Sequence, residues 1–498
     1  MDSVVETLLA LARAHPERPL LLTRDRTYTY AGFAARAGAL AGDLAARGLP
    51  RGARVALLAD EYDDFFVAMV AVWLAGGVVV PLNTTLPPDD LDGLLTKAAP
   101  ALLARADGAG PAGFAPGAVE TIRVSAAELG EVDGALEATP PDRSPIGPDE
   151  LAMVMFTSGT TGLPKGVCQT LRAIGGNAGL VAATLGLAAA DRIFINTPPY
   201  FTSGICHFLT LLANGGGTAG RQGFFFGEAL LDELAGLGCT GFGGAPAHLV
   251  RVVEPLERPR SVPGLRFWVS SGDHLPLDVI DSTARMLPDV RLYNMYGLTE
   301  VSGRLCILPP AELERRRGSV GRPIGTMRVT PRLADGAAAP SGDTGELFVD
   351  GPLLMRGYLD EPDITAAALT ADGFRTGDFG HTDADGYVWV EGRRDDIIKR
   401  GGEKVSIVHI QQALRALDLF TDVVVLAVDD EILGHVPVAF VVPGEPAAFS
   451  RTKALRALRR VLPASSMPSR IVSVTEVPRT GSGKAIRAEL LRLAGDEP

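Results

Sequence analysis

Leu151 to Phe156 is a short apolar run that passes without interruption into Thr157-Ser158-Gly159-Thr160-Thr161-Gly162-Leu163-Pro164-Lys165-Gly166. A run of this length reads as a buried strand, and it delivers a loop holding three glycines, four hydroxyl side chains and one lysine. Backbone N–H groups, hydroxyl donors and an ammonium are the groups a polyphosphate needs. A flexible surface loop is the plain alternative, but so many donors directly after a buried strand favour phosphate binding. The loop is not the GxxxxGKS/T nucleotide motif, because Leu163-Pro164 precede Lys165 and Gly166 follows it. Gly481-Ser482-Gly483-Lys484 fails the same test, since position 478 is Pro478.

The surroundings of that loop predict an α/β alternation. Residues 31 to 48 carry small and apolar side chains at helical spacing, and Val55 to Ala59 and Val78 to Leu82 read as buried strands flanking a helix that begins near Asp63. The uncharged run from Phe65 to Leu82 is broken by Gly76-Gly77 and Pro81, so it predicts a helix turning into a strand rather than a membrane span. Phe224-Phe225-Phe226 reads as a further buried strand. Residues 104 to 150, rich in Ala, Gly and Pro, read as a surface connection.

Beyond Gly345 the strands Glu346 to Val349 and Gly386 to Gly392, bounded by glycines, predict a β-subdomain. From about 395 the pattern changes to a helix over Ile407 to Leu417, strands at Val423 to Val428 and Val436 to Val442, and a basic helix around Thr452 to Val461. This predicts a small α+β domain, and 498 residues exceed what one core supports.

A net charge of −12 excludes a broad basic face for nucleic acid, so any polyanionic ligand is small. Cys168, Cys206, Cys239 and Cys306 lack CxxC spacing and fit neither a zinc site nor a disulfide framework. With no leader-like start at Met1 to Glu6, the expected compartment is the cytoplasm.

Further signatures follow the loop in order: Tyr296-Gly297-Leu298-Thr299-Glu300, Gly345-Glu346-Leu347, Arg375-Thr376-Gly377-Asp378, Gly392-Arg393-Arg394-Asp395-Asp396-Ile397-Ile398 and Arg479-Thr480-Gly481-Ser482-Gly483-Lys484. Alone, Tyr296 reads as a core aromatic, Asp378 as a turn former, and Arg393 and Lys484 as solvated charges. Together and in this order the blocks resemble the adenylate-forming superfamily of acyl-CoA synthetases, peptide-synthetase adenylation domains and luciferases. The resemblance extends back to Gly52 to Asn83.

The resemblance implies a multidomain α/β fold. A large N-terminal body over 1–394 would hold two α/β subdomains and a distorted β-barrel subdomain, and a small mobile α+β domain over 395–498 would carry the catalytic lysine. It implies ATP, Mg2+ and coenzyme A as the small molecules used. The acid would become an acyl-adenylate with loss of pyrophosphate, and the acyl group would pass to the thiol with release of AMP. Phosphate contacts fall on Thr157, Ser158, Gly159, Thr160, Thr161, Gly162 and Lys165. The adenine and ribose would meet Gly272, Asp273, His274, Asn294, Tyr296, Gly297, Asp378 and Arg393. Thr299 would touch the α-phosphate, and Glu300 would hold Mg2+, a hard cation that prefers oxygen ligands. Lys484 would stabilise the charge that builds on the α-phosphoryl oxygens. Asp395 would be the hinge, and Gly401, Gly402 and Lys404 would line the thiol tunnel.

The acid pocket implied by the resemblance is built from Tyr200, Phe201, Ser203, His207, Met295, Gly297, Ser302 and Gly303, with Arg304 as a further polar candidate. Phe201 stands where amino-acid-activating members carry an Asp, which leaves a buried ammonium without a counter-ion and argues against an α-amino acid. Gly297 stands where acetate-specific members carry a Trp, so a hydrophobic, bulky or aromatic acid is expected. Leu171, Asp273-His274, His409 and Gln411 depart from the family's usual residues without removing a catalytic group, and they suggest a specialised acid from secondary metabolism. Two acceptors stay open, coenzyme A and the phosphopantetheine of a carrier protein, as do a homodimeric assembly and a non-catalytic nucleotide-binding role on the same fold.

Overall fold

The computed structural model of the chain describes residues 3–129, 145–157, 164–220, 227–393, 397–400, 403–417, 419–430, 432–444, 449–479 and 485–495. Two mostly parallel sheets make up most of the body, as near-continuous apolar strands require when both faces are covered. A seven-stranded sheet runs in the order Gly357–Tyr358, Lys165–Thr170, Leu151–Thr157, Val78–Pro81, Arg54–Leu58, Leu102–Ala106, Thr121–Val124. Its centre is parallel, and Lys165–Thr170 folds back antiparallel on Leu151–Thr157.

A nine-stranded sheet runs Arg322–Pro323, Cys306–Leu308, Arg291–Tyr296, Phe267–Ser271, Gly241–Gly244, Arg192–Ile195, Gly217–Gly220, Pro19–Leu22, Thr27–Thr29. It is parallel from Pro19–Leu22 through to Arg291–Tyr296. The helix Tyr62–Leu74 is buried at every position except Asp64, so its apolar residues meet protein on all sides. The Tyr62 hydroxyl lies 3.0 Å from the Thr197 carbonyl and 3.1 Å from that of Ile195, and the Phe66 ring stacks on Phe208 at 4.1 Å. These contacts fasten the helix to the larger sheet and to the helix Thr202–Ala213, and one hydrophobic core runs through both layers.

The uncharged run near Phe65 does become a helix and then the strand Val78–Pro81, and no helix among the described residues is long and apolar enough to cross a membrane. Within the connection expected over residues 104 to 150, of which 130–144 lie outside the described residues, the part up to 129 is more structured than its composition suggests. Thr121–Val124 pairs in parallel register with Leu102–Ala106 as an edge strand whose alternate residues are buried, four residues being too short to register as a period. The segment from Phe224 to Phe226 lies outside the described residues.

The β-subdomain is a five-stranded antiparallel sheet in the order Arg328–Arg332, Gly345–Asp350, Gly373–Thr382, Leu369–Thr370, with Val388–Arg393 pairing the long Gly373–Thr382 strand. Its register sets Asp378 opposite Arg393, and the pairing shifts just beyond, between Phe379 and Gly380. Such a bulge re-aims the side chains beside it. The last sheet uses only residues after 396: Glu403–Ser406, Ile397–Arg400, Gly434–Pro443 and Phe420–Asp430, with Arg470–Ser473 parallel to Gly434–Pro443. Separate apolar clusters centred on Ile410 and on Phe440 belong to this unit alone. Its helices Ile407–Arg415 and Arg451–Leu458 and its paired long strands bear out the α+β expectation.

Candidate active site

The strand Arg291–Tyr296 ends at a turn, Gly297 to Arg304, that faces three other elements. Tyr296 donates its hydroxyl hydrogen bond to Oδ2 of Asp378, and Arg393 Nε donates to Oδ1 of the same carboxylate at 3.2 Å. Asp378 is 4% exposed. Burial first, and then the Asp378 charge, push the Tyr296 phenol well above its ordinary ionisation range, so it remains a donor. Thr376 Oγ1 accepts from the Asp378 N–H at 3.0 Å and fixes the backbone at the bulge. A buried carboxylate presented between a cation and an aromatic ring is an acceptor for neutral hydroxyl donors.

The other expected nucleotide contacts lie on neighbouring strand ends. Asn294 Nδ2 donates to the Ser319 carbonyl at 3.0 Å. Gly272, at φ 101°, follows the strand Phe267–Ser271 in a conformation suited to glycine. The Asp273 carboxylate accepts from the His274 N–H at 2.7 Å. His274 Nε2 lies 2.9 Å from Nε2 of Gln412 on the helix Ile407–Arg415, a contact between the large body and the last sheet's unit. Burial lowers the His274 pKa against the opposing pull of Asp273.

At the loop expected to bind phosphate, Thr157 and Lys165 are cross-strand partners, and Thr157 Oγ1 donates to the Lys165 carbonyl at 3.5 Å. Ser158, Gly159, Thr160, Thr161 and Gly162 lie outside the described residues. Immediately after them, the Pro164 carbonyl accepts from Lys97 Nζ at 2.9 Å, and Lys97 also pairs with Glu361. Lys165 Nζ sits 5.4 Å from the centre of the Tyr358 ring, and the Tyr358 hydroxyl donates to Glu300 Oε1 at 3.0 Å. Burial and the Glu300 charge raise the Tyr358 phenol, keeping it a donor. Glu300 thus lies in one polar run with Lys165. Among the described residues no group of three or more ligating side chains could hold a metal. Glu300 beside a polyphosphate suits Mg2+, which binds through few carboxylates plus phosphate oxygens and water.

A ladder of contacts joins the helix Thr202–Ala213 to the turn after Tyr296. Thr202 Oγ1 and Thr299 Oγ1 are 3.2 Å apart, Cys206 Sγ approaches the Ser302 carbonyl at 3.5 Å, and His207 Nε2 is 3.3 Å from a terminal nitrogen of Arg304. Gln169 donates to the Thr299 carbonyl, tying the turn to the strand after the phosphate loop. Ser302, at φ 62°, spends its hydroxyl on the Leu353 carbonyl at 3.1 Å. Met295 is buried in its strand, Ser203 is half-buried, and Tyr200 and Phe201 pack ring to ring at 4.9 Å at the start of the helix. Gly297 has a cause that its sequence context conceals. A Cβ there would stand 1.7 Å from the Gly303 carbonyl oxygen, so backbone packing demands the glycine. Exclusion of acetate therefore cannot be read from it.

Asp395, Gly401, Gly402 and Lys484, and the side chain of Lys404, lie outside the described residues. Beside Lys484, Arg479 makes a double hydrogen bond to Asp422 at 2.8 and 2.7 Å and pairs with Ala485 across the base of the intervening segment.

The model for AMP-binding enzymes matches residues 9–359, and that for the AMP-binding enzyme C-terminal domain matches residues 409–484. The chain belongs to the AMP-binding enzyme family. It is an ATP-dependent, AMP-forming enzyme of the adenylate-forming superfamily. A sulfoacetate–CoA ligase of Cupriavidus necator is 32% identical over 99% of this chain and 98% of its own length. A feruloyl-CoA synthase of an Amycolatopsis species is 30% identical over 97% of each chain. Among solved structures, o-succinylbenzoate coenzyme A synthetase of Bacillus subtilis with ATP and a magnesium ion superposes at a TM-score of 0.85, with 25% identity over 97% of this chain and 99% of the other. Within this AMP-binding enzyme, Lys97, Gln169, Thr202 and Tyr358 are contacts that sequence reasoning missed. No motif marks them, since each acts through a partner at least 58 positions away.

Proposed function

We propose that the protein is an acid–CoA ligase in which a carboxylate oxygen attacks the α-phosphorus of ATP. The bond to pyrophosphate breaks and an acyl-adenylate remains. The sulfur of coenzyme A then attacks the acyl carbon, the bond to the AMP oxygen breaks, and the thiol proton passes to solvent. In this reading Asp378 and Arg393 hold the ribose hydroxyls, Tyr296 lies against the adenine, and Thr299 contacts the α-phosphate. Thr157 to Lys165 cradle the outer phosphates, and Glu300 with the phosphates holds Mg2+, which screens their charge. Lys484 stabilises the transition state of the first step. Rotation about Asp395 exchanges Lys484 for the Gly401-Gly402-Lys404 segment in the second step, with domains over 1–394 and 395–498.

The observation that carries this reading is the gathering of Tyr296 and Arg393 on Asp378 just before the turn, with Glu300 of the turn linked through Tyr358 to Lys165. The two sets suit the ribose and the phosphates of one nucleotide. The names of the relatives support coenzyme A as the thiol. Phe201 brings no carboxylate for an ammonium, which supports an acid without an α-amino group.

The test is ATP–pyrophosphate exchange over a panel of acids, repeated with coenzyme A and with a phosphopantetheinylated carrier protein. Acid-dependent exchange, acyl transfer to coenzyme A and a loss of at least a hundredfold in Lys484→Ala are expected. Transfer to the carrier alone would move the assignment to a carrier-loading ligase, and undiminished exchange in Lys484→Ala would remove that residue's role.

A further inference from the structure

The ladder between the helix Thr202–Ala213 and the turn after Tyr296 ends in a charge that adenylation does not use. Arg304 is 5% exposed, and its side chain's polar contact among the described residues is His207, itself 5% exposed. Among the described residues no carboxylate pairs with the guanidinium. Burial and the neighbouring Arg304 charge drive the His207 pKa far below its ordinary value, so the imidazole is neutral and accepts through Nε2. Cys206, the other polarisable neighbour, is a thiol kept protonated by burial. Among the described residues the cation is therefore desolvated in neutral company, an arrangement that is costly unless an anion completes it.

The Arg304 backbone is held in place from the neighbouring helix. Asn177, 1% exposed, donates to the Arg304 carbonyl at 2.6 Å and accepts from its N–H at 3.4 Å. Gly243 on the adjacent strand allows the imidazole to lie flat, since a Cβ there would meet His207 Nε2 at 2.3 Å. The Thr202–Thr299 contact lies at the proposed α-phosphate position, and His207 is five residues further along the same helix. At 1.5 Å rise per residue His207 lies about 7 Å beyond Thr202 along the helix axis, and Arg304 sits against His207, an offset comparable with the length of a short acid bound by its far end.

We propose that Arg304, with His207 as its support, recognises a second anionic group, a carboxylate or a sulfonate, on the acid that is activated. The inference rests on the acid–CoA ligase reading. A single bidentate cation suits either group, and a neutral acyl tail leaves it unpaired.

The test compares pyrophosphate exchange for malonate, succinate, glutarate and sulfoacetate with exchange for monoanionic counterparts that lack the second charge, the monomethyl esters of the three diacids and methylsulfonylacetate. At least one dianionic acid is expected to exceed its monoanionic counterpart in kcat/KM by about a hundredfold. That ratio is expected to collapse in Arg304→Met and to persist in part in Arg304→Lys, with an AMP-induced rise in melting temperature showing that the variants are folded. Should Arg304→Met fail to fold, the wild-type ratios decide alone. Monoanionic counterparts used as well as or better than the dianions, or an unchanged ratio in folded Arg304→Met, overturn the inference and leave the ligase reading standing. Absence of exchange with every acid, dianionic or monoanionic, overturns both.

Discussion

Asp378→Asn isolates the charge at the proposed ribose site without changing the side chain's shape. The carboxylate is buried, receives the Tyr296 hydroxyl and Arg393 Nε, and would receive two ribose hydroxyls when AMP binds. Hydrogen bonds to a charged acceptor contribute about 1.5–3 kcal/mol each. An amide retains one acceptor oxygen and turns a donor toward either Arg393 or the sugar, so roughly 3 kcal/mol of binding is lost. This corresponds to a weakening of AMP by about a hundredfold. Isothermal titration of AMP into the folded variant measures it directly, and the nucleotide-free melting temperature reports separately on structure. Because Tyr296 stays protonated well above the ordinary phenol range, the wild-type affinity should not change between pH 7 and 9 through this residue. AMP affinity within threefold of wild type would refute the placement of the ribose at Asp378.

Gly297→Ala should abolish nucleotide binding and lower the melting temperature, because its Cβ meets the Gly303 carbonyl. A folded variant with altered acid preference and intact ATP binding would restore the view of Gly297 as pocket space. Asp64 has its pKa raised to about 6, chiefly by burial, while its carboxylate accepts the Ala126 N–H at 2.7 Å. A raised carboxyl pKa favours the native state below the unfolded value of 3.8, and that contribution is lost as pH rises through about 6. Asp64→Asn should therefore stabilise the protein at pH 7.5 by about 1–2 kcal/mol, with the gain vanishing near pH 4 in parallel melts; a pH-independent difference contradicts this. Lys97→Met removes the clamp on Pro164 and should raise the KM for ATP about tenfold with little change in melting temperature, whereas an unchanged KM would make the clamp structural only.

The strand at Leu151 was legible as a contiguous apolar run, and the blocks around Tyr296, Asp378 and Arg393 stood out because each is a contiguous run of residue types that serve one chemistry. The meeting of Arg393 with Asp378 follows from the register of Gly373–Thr382 with Val388–Arg393, beside a bulge no local pattern announces. Tyr358 illustrates the harder case: a lone aromatic far from any motif becomes a contact of both Lys165 and Glu300 through sheet pairing with Lys165–Thr170. Gly297 shows the reverse error, in which a motif position was read as space for a ligand although backbone fills it. Arg304 was visible as a candidate, but its uncompensated charge emerged only with its burial.

The central claim is that the acid's own oxygen attacks the α-phosphorus. An acid labelled with 18O at its carboxylate, turned over with ATP and coenzyme A, should yield AMP carrying one labelled oxygen, read as a 2 Da increase by mass spectrometry. Unlabelled AMP, or label appearing in inorganic phosphate together with ADP, would contradict the account.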